Sequence, residues 1–105
     1  MIMKSRYEHA LPSEWVPMSK VFAALGDEQR QRILLLFERG ERLNISQIVA
    51  ASPLSRSAIT HHLRVLHDAG VLRSEKVGKE VFFWIDTPFV TDALGTVLAY
   101  IRENL

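Results

Sequence analysis

The sequence of 105 residues contains no cysteine, and this absence removes several kinds of chemistry at once. Disulfides, thiolate metal sites, redox-sensing thiols and cysteine nucleophiles are all excluded. Long hydrophobic runs are also missing, because the longest, such as 21–25 and 81–85, are far too short for a membrane span or a signal peptide. We therefore expect a cytoplasmic protein with no membrane partner.

The patterns that catalysis needs are missing as well. The sequence has no glycine-rich phosphate loop and no paired carboxylates at helical spacing. Asp27 with Glu28, and Glu38 with Glu41, are better explained as a helix cap and as solvated surface. We predict that the protein is not an enzyme and uses no cofactor.

The charge is nearly balanced, at a net +1 for the whole chain. Residues 52–82 hold five basic and three acidic side chains, so this segment carries +2. The positive charge of this segment would grow if nearby histidines became protonated beside a polyanion, and a dimer would carry it twice. Charge alone therefore does not identify a partner.

Apolar residues make up 48% of the chain, which is enough for one folded domain. Residues 1–12 show no clear period and end in proline, so we interpret them as an N-terminal arm before a domain over 13–105. Helical spacing of the apolar residues then predicts a first helix that Ser13 caps and Gly26 ends.

Three more helices follow from caps and apolar spacing. Asp27 caps the second helix, which we expect to continue to Gly40, and Asn44 opens a short third helix with a capping box. Ser55 caps a fourth helix that ends at Gly70. Two short helices joined by a turn of about three or four residues form a helix-turn-helix pattern.

After Gly70 the apolar residues alternate instead of following a helical period. Residues 71–86 predict two strands joined by a turn at 77–79. Thr87 then caps a fifth helix, which Pro88 opens and which carries a wide apolar stripe. The predicted fold class is mainly α with a small β-hairpin (α+β). It is a winged helix-turn-helix with five helices and a two-stranded wing.

The fourth helix, which begins in "SRSAITHHLRVL", carries the functional signal. At about 100° per residue its apolar side chains share one side. The outer face offers donors suited to base edges and phosphates: Arg56, Ser57, Thr60, His61 and Arg64. Such a face in isolation is more often solvated surface, but the preceding helix and the basic hairpin favour a DNA-binding wing and recognition helix.

The adjacent histidines of this helix do not suit a metal ion. His61 and His62 point about 100° apart and His67 lies elsewhere on the cylinder, so no pair four residues apart can chelate zinc. We expect His62 to lie at the edge of the core and to form a hydrogen bond within the fold. His67 should lie at the surface.

The segments "VFAALGDEQRQRIL" and "SRSAITHHLRVLHDAGVLRSEKVGKEVFFWI" resemble the ArsR family of bacterial winged-helix repressors, over roughly residues 21–101. The resemblance implies a homodimer in which the terminal helices pair, two recognition helices that read an inverted repeat of double-stranded DNA, and repression of transcription. The positions that fall on the family's DNA-reading segment are Ser55, Arg56, Ser57, Thr60, His61 and Arg64. Thr60 stands where serine is usual and keeps the hydroxyl.

Further contacts complete this hypothesis. We assign the DNA backbone to Arg73, Lys76, Lys79, Ser46 and Gln47. We assign the core and the dimer seam to Trp15, Phe22, Leu94, Val97, Leu98 and Ile101. Gly95, which costs about 1 kcal/mol in mid-helix, indicates a close approach of two helices across a dimer.

The metal sites of the family are not expected here. Its thiolate site would need cysteines in "NISQIVAA", and its other common site needs histidine in the C-terminal helix, where 87–105 has none. Two alternatives remain open: a protein-interaction module, or a repressor that responds to an apolar small molecule. The aromatic residues relevant to the latter are Tyr7, Trp15, Phe82, Trp84 and Tyr100, although cover by the terminal helix or the arm explains outward-facing aromatics more simply.

Overall fold

A computed structural model describes residues 10–105, so Tyr7 and most of the predicted arm lie outside the described residues. A short 3-10 helix, Ser13–Trp15, leads into five α-helices and three β-strands. In chain order these are α1 (Val16–Leu25), α2 (Glu28–Leu34), β1 (Leu43–Asn44), α3 (Ile45–Ala50), α4 (Arg56–Asp68), β2 (Leu72–Val77), β3 (Glu80–Ile85) and α5 (Thr87–Asn104). The predicted winged helix-turn-helix is confirmed, with one strand more than expected.

Three helix starts lie where their caps predict them. The side chains of Asp27, Asn44 and Ser55 accept hydrogen bonds from backbone N–H groups in the first turns of α2, α3 and α4. Oε1 of Gln47 in turn accepts from the backbone N–H of Asn44 at 2.8 Å, which completes the capping box. These ends are predictable because a cap and its partners lie within three residues of each other.

Two other predicted caps are wrong. Ser13 lies within the 3-10 helix and its side chain caps nothing, while α1 begins only at Val16. At α5 the cap is Asp86, whose Oδ1 accepts from the backbone N–H of Phe89 at 3.2 Å, and Thr87 is the first helical residue. A carboxylate is favoured over a hydroxyl there because the helix N-terminus carries partial positive charge.

The predicted end of α2 at Gly40 is also wrong, since the helix ends at Leu34. Residues 33–37 are all apolar, and a straight helix would spread them around its whole circumference. The chain instead tightens, with the N–H of Leu36 bonded to the carbonyl of Ile33 at 3.0 Å. This turn half-buries Leu36 and leaves Leu35 84% exposed.

The sheet is antiparallel in the order β1-β3-β2. The hairpin turn lies where it was predicted, because Val77 pairs with Glu80 and leaves a two-residue loop that contains Gly78 at φ +63°. The additional strand, β1, was not predicted, and its Leu43 pairs with Phe83 of β3. A strand of two residues has no period to detect.

The core surrounds α4. Ile59, Leu63 and Leu66 are fully buried on its inner side, as the helical wheel predicts. Gly70 then closes α4 at φ +84°, and the ring of Phe89 from α5 lies over it. α4 therefore packs against β2 of the hairpin, and the turn that follows it lies against α5.

Candidate nucleic-acid interface

The outer face of α4 forms a shallow groove on the protein surface. The groove is lined by Arg56, Ser57, Thr60, His61 and Arg64, the five side chains that the sequence places on this face. All are exposed except Thr60, whose hydroxyl donates to the backbone carbonyl of Arg56 at 2.8 Å. Thr60 therefore offers its oxygen mainly as an acceptor, while the arginines and Ser57 remain donors.

A second feature, which we call the wing notch, lies between the helix-turn-helix and the hairpin. It has a volume of about 130 Å³ and is lined by Asn44, Ile45, Ser46, Arg56, Lys79, Glu80 and Val81. Arg56 borders both the notch and the α4 groove, and its Nη1 donates to Ser46 Oγ at 3.4 Å. The fold thus places Lys79 of the wing and Arg56, the first residue of α4, around the same notch.

Two predicted contact residues are partly engaged inside the fold. Ser55 Oγ accepts the capping bond from the N–H of Ala58 at 3.1 Å, which leaves its hydroxyl hydrogen for another partner. The Gln47 side-chain oxygen accepts from the N–H of Asn44, so only its amide NH₂ is available. Both can still donate to a phosphate oxygen.

The two remaining basic residues of the hairpin face different ways. Arg73 pairs with Trp84 and Lys76 pairs with Val81, and residues three apart on a strand project to opposite faces. Lys76 shares the face of Leu72 and Phe83, which are buried, whereas Arg73 lies on the outer face. The structure does not bring Arg73 and Lys76 onto one surface.

The outer face of the hairpin contains a contact that the sequence did not reveal. The guanidinium of Arg42 lies 3.8 Å from the centroid of the Trp84 ring, and its Nη1 donates to Glu75 Oε2 at 2.9 Å. Among residues 10–105, an arginine from the loop before β1 covers Trp84. The sequence suggested the terminal helix or the arm, and most of that arm lies outside the described residues. A cation stacked on an aromatic ring is a specific, favourable geometry.

His62 forms a hydrogen bond inside the fold, as predicted. Its Nδ1 lies 3.3 Å from Nη1 of Arg30, which must be the donor, and Arg30 Nε donates to the carbonyl of Ala24 at 2.7 Å. The Arg30 side chain is only 14% exposed and also faces Asp27 at 3.9 Å. Sequence reasoning missed Arg30, because its partners lie on α1 and α4 as well as on its own helix.

The same cluster acts on the cap of α2. The pKa of the Asp27 carboxyl is lowered, first by the hydrogen bond that it accepts from the backbone N–H of Arg30. The Arg30 charge and the hydrogen bond from the N–H of Gln29 lower it further. Hydrogen bonds to the charged form favour that form. His67 lies at the exposed surface as expected, with its Nδ1 3.7 Å from Asp68 Oδ1.

Over residues 10–105, no three histidine, aspartate or glutamate side chains converge as a metal site would require. No helix in the same range is both long and apolar enough to cross a membrane.

An apolar face runs along α1 and α5. Phe22, Leu94, Leu98 and Ile101, four of the six predicted seam residues, are exposed there, while Trp15 and Val97 are half-buried. Trp15 packs edge-on against Tyr100, with ring centroids 5.3 Å apart. A Cβ placed on Gly95 would meet no other described atom within 4 Å.

Comparison with known proteins agrees with this geometry. Residues 27–74 match the family described as "Bacterial regulatory protein, arsR family". The "Transcriptional repressor SdpR" of Bacillus subtilis is 28% identical over 87 residues, which cover 83% of this chain and 96% of that protein.

Solved structures agree in the same way. An ArsR-like transcriptional regulator from Rhodococcus sp. RHA1 is 30% identical, with a TM-score of 0.79 over 88% of this chain and 86% of its own. A homodimeric winged helix-turn-helix DNA-binding domain, Mb0332 from Mycobacterium bovis, has a TM-score of 0.65 at 21% identity, covering 85% and 82%, and at that identity shows the fold alone.

The chain therefore belongs to the ArsR family of bacterial transcriptional regulators, with a DNA-binding winged helix-turn-helix domain. The resemblance seen in the sequence is confirmed. The relatives are regulators of transcription and not enzymes, as the sequence predicted.

Proposed function

We propose that this protein is a homodimeric, metal-independent repressor that binds an inverted repeat in double-stranded DNA. The observation that carries the proposal is the continuity of the α4 groove and the wing notch through Arg56. One surface thus combines side chains suited to base edges with a lysine suited to a neighbouring phosphate. Such a protein works in the cytoplasm, where bacterial DNA is found.

The division of labour follows from position. Arg56, Ser57, Thr60 and His61 lie on the first turns of α4, the part of a recognition helix that reaches base edges in the major groove. Lys79 and Ser46 border the notch, where they would contact backbone phosphates, and Lys76 and Arg73 would contact the backbone from separate faces of the wing. Gln47, Ser55 and Arg64 complete the proposed contact set.

The homodimer is supported by the apolar face on α1 and α5. Phe22 on α1 and Leu94, Leu98 and Ile101 on α5 expose apolar surface on two helices that contact each other, and exposed apolar surface of this kind is typical of an interface. The Mycobacterium bovis domain of the same fold is described as homodimeric. A two-fold dimer would present two copies of α4 to two half-sites about one helical turn apart.

Metal independence is supported by the available donors. The chain has no cysteine, and α5 has no histidine, so thiolate and imidazole ligands are missing from the places where the family's sites would need them. Repression in this proposal does not require a metal ion to form or to release the DNA complex. Response to an apolar small molecule, or docking to a protein in place of DNA, is the competing outcome.

The test is a fluorescence-anisotropy titration against the DNA upstream of the protein's own coding sequence and against a scrambled duplex. It is performed at several salt concentrations, with and without a chelator. The proposal requires tight binding that prefers one duplex, resists the chelator and weakens steeply with salt. Selection from a random duplex library that yields no preferred sequence would contradict it.

A further inference from the structure

The two acidic side chains of the hairpin are both held by residues that flank Leu43 in β1. Glu75 of β2 accepts from Arg42 Nη1 at 2.9 Å, and Glu80 of β3 accepts from Asn44 Nδ2 at 3.3 Å. These contacts span 33 and 36 residues in sequence. The wing is therefore attached to the helix-turn-helix by side chains as well as by the strand ladder.

Alternation along β1 explains why this short segment makes both contacts. Leu43 pairs with Phe83 and points to the core, so Arg42 and Asn44 on either side of it project to the outer face. Glu75 and Phe82 share that outer face, because they are directly paired. Three consecutive residues thus anchor the hairpin from both sides of the sheet.

Asn44 has two tasks in this arrangement. Its side-chain oxygen caps α3 by accepting from the N–H of Gln47 at 2.8 Å, and its NH₂ donates to Glu80. One side chain thus connects the first helix of the helix-turn-helix to the strand that follows Lys79. Asn44, Lys79, Glu80 and Arg56 all line the wing notch.

The tip of the hairpin has little else to hold it. Residues 75–80 are all exposed, so no buried apolar side chain fixes the position of Lys79. A hairpin without packing at its tip moves readily about its base. The side chains of Arg42 and Asn44 restrict that motion on the side nearest the recognition helix.

We propose that Arg42 and Asn44 are positioning residues that hold the wing so that Lys79 and Arg56 reach DNA together. The inference rests on the proposed function, since it concerns the same interface. In this inference Arg42 and Asn44 affect binding through the position of Lys79 and not through contacts of their own with DNA. It also explains two acids within a wing that faces a polyanion, because both acids serve as attachment points.

The first test uses the protein without DNA. Asn44→Ser keeps a good helix cap but is too short to reach Glu80, and Arg42→Lys keeps the charge but loses the planar group that stacks on Trp84. Amide hydrogen exchange at 78–82 should accelerate by about threefold or more in both variants. Arg39→Lys, an exposed arginine in the same loop, is the matched control and should leave these rates unchanged.

The second test measures DNA affinity and its salt dependence in a double-mutant cycle. Asn44→Ser should weaken binding by about threefold or more and reduce the salt slope by about one per wing. In a Lys79→Gln background the same change should have little further effect, because the contact that Asn44 positions is already gone. A thermal melt of each variant accompanies the titration.

The outcomes separate the two claims. Asn44→Ser would have a purely structural role if it reduced DNA affinity equally in the wild-type and Lys79→Gln backgrounds. The same would hold if the affinity fell only in proportion to a lower melting temperature, and either result would overturn the inference. Intact wild-type binding with unchanged exchange and affinity in both variants would overturn it while leaving the proposed function in place. A wild-type protein that binds no duplex would overturn both, and the exchange data would still show whether Arg42 and Asn44 hold the wing in place.

Discussion

Replacing Gly70 by alanine tests how the recognition helix is joined to the rest of the fold. Gly70 has φ +84°, and a Cβ there would lie 2.6 Å from Cε2 of Phe89. The left-handed backbone costs an L-residue about 1–2 kcal/mol, and an added methyl group in a packed site costs about 1–3 kcal/mol more. The expected loss is therefore about 2–5 kcal/mol, a large share of the stability of a small domain.

Gly40 offers a matched control for this substitution. Its φ is +71°, but a Cβ there would meet nothing within 4 Å, so Gly40→Ala carries the backbone strain without the clash. Urea unfolding at one fixed protein concentration should place Gly70→Ala about 1–3 kcal/mol below Gly40→Ala. Phe89→Ala should reduce the gap when it is combined with Gly70→Ala, since it removes the clashing ring. Equal losses at the two glycines would refute the reasoning.

Three further predictions follow from the surface and the caps. Arg56→Gln should reduce discrimination between specific and scrambled DNA. Lys79→Gln should weaken binding to both duplexes similarly and lower the salt slope by about one per wing. Equal losses of affinity on both duplexes for both variants would refute this division. Leu98→Glu places a charge on the apolar face of α5, where Leu98 is 46% exposed, and should shift sedimentation towards monomer, while Leu35→Glu, at an 84% exposed site, should not. Because the pKa of Asp27 is lowered in the fold, its contribution to stability is present above the ordinary value of 3.8 and is lost as pH falls through the lower folded value. Asp27→Asn should keep a cap but lose that acid-side dependence, and an unchanged pH profile of urea midpoints would count against the assigned role.

The parts of the fold that could be predicted from the sequence are those controlled by near neighbours. The caps at Asp27, Asn44 and Ser55 bond to groups two or three residues away, so residue type and spacing are enough to identify them. The inner and outer faces of α4 follow from the helical period alone. The turn around Gly78 follows from the need for positive φ between two alternating segments.

Apart from the two misplaced caps at Ser13 and Thr87, the errors in the sequence prediction come from interactions with distant parts of the chain. The second helix ends early because Leu36 and Phe37 pack on the core in preference to continuing the helix. The strand at Leu43 exists only because β3 offers it a partner 40 residues later. Arg30 and Arg42 look like ordinary surface arginines in the sequence, and their partners are fixed by tertiary packing.

The sequence by itself determined the class of fold, the second helix of the helix-turn-helix and the set of side chains on the outer face of that helix, because these depend on local hydrogen bonds and on the period of apolar residues. Only the tertiary structure decided which basic residues lie together. The alternation of side chains along β2 already separates Arg73 from Lys76. The tertiary structure brought Lys79 to Arg56, because the wing is attached at Arg42 and Asn44 by contacts across more than 30 residues, which no local pattern records.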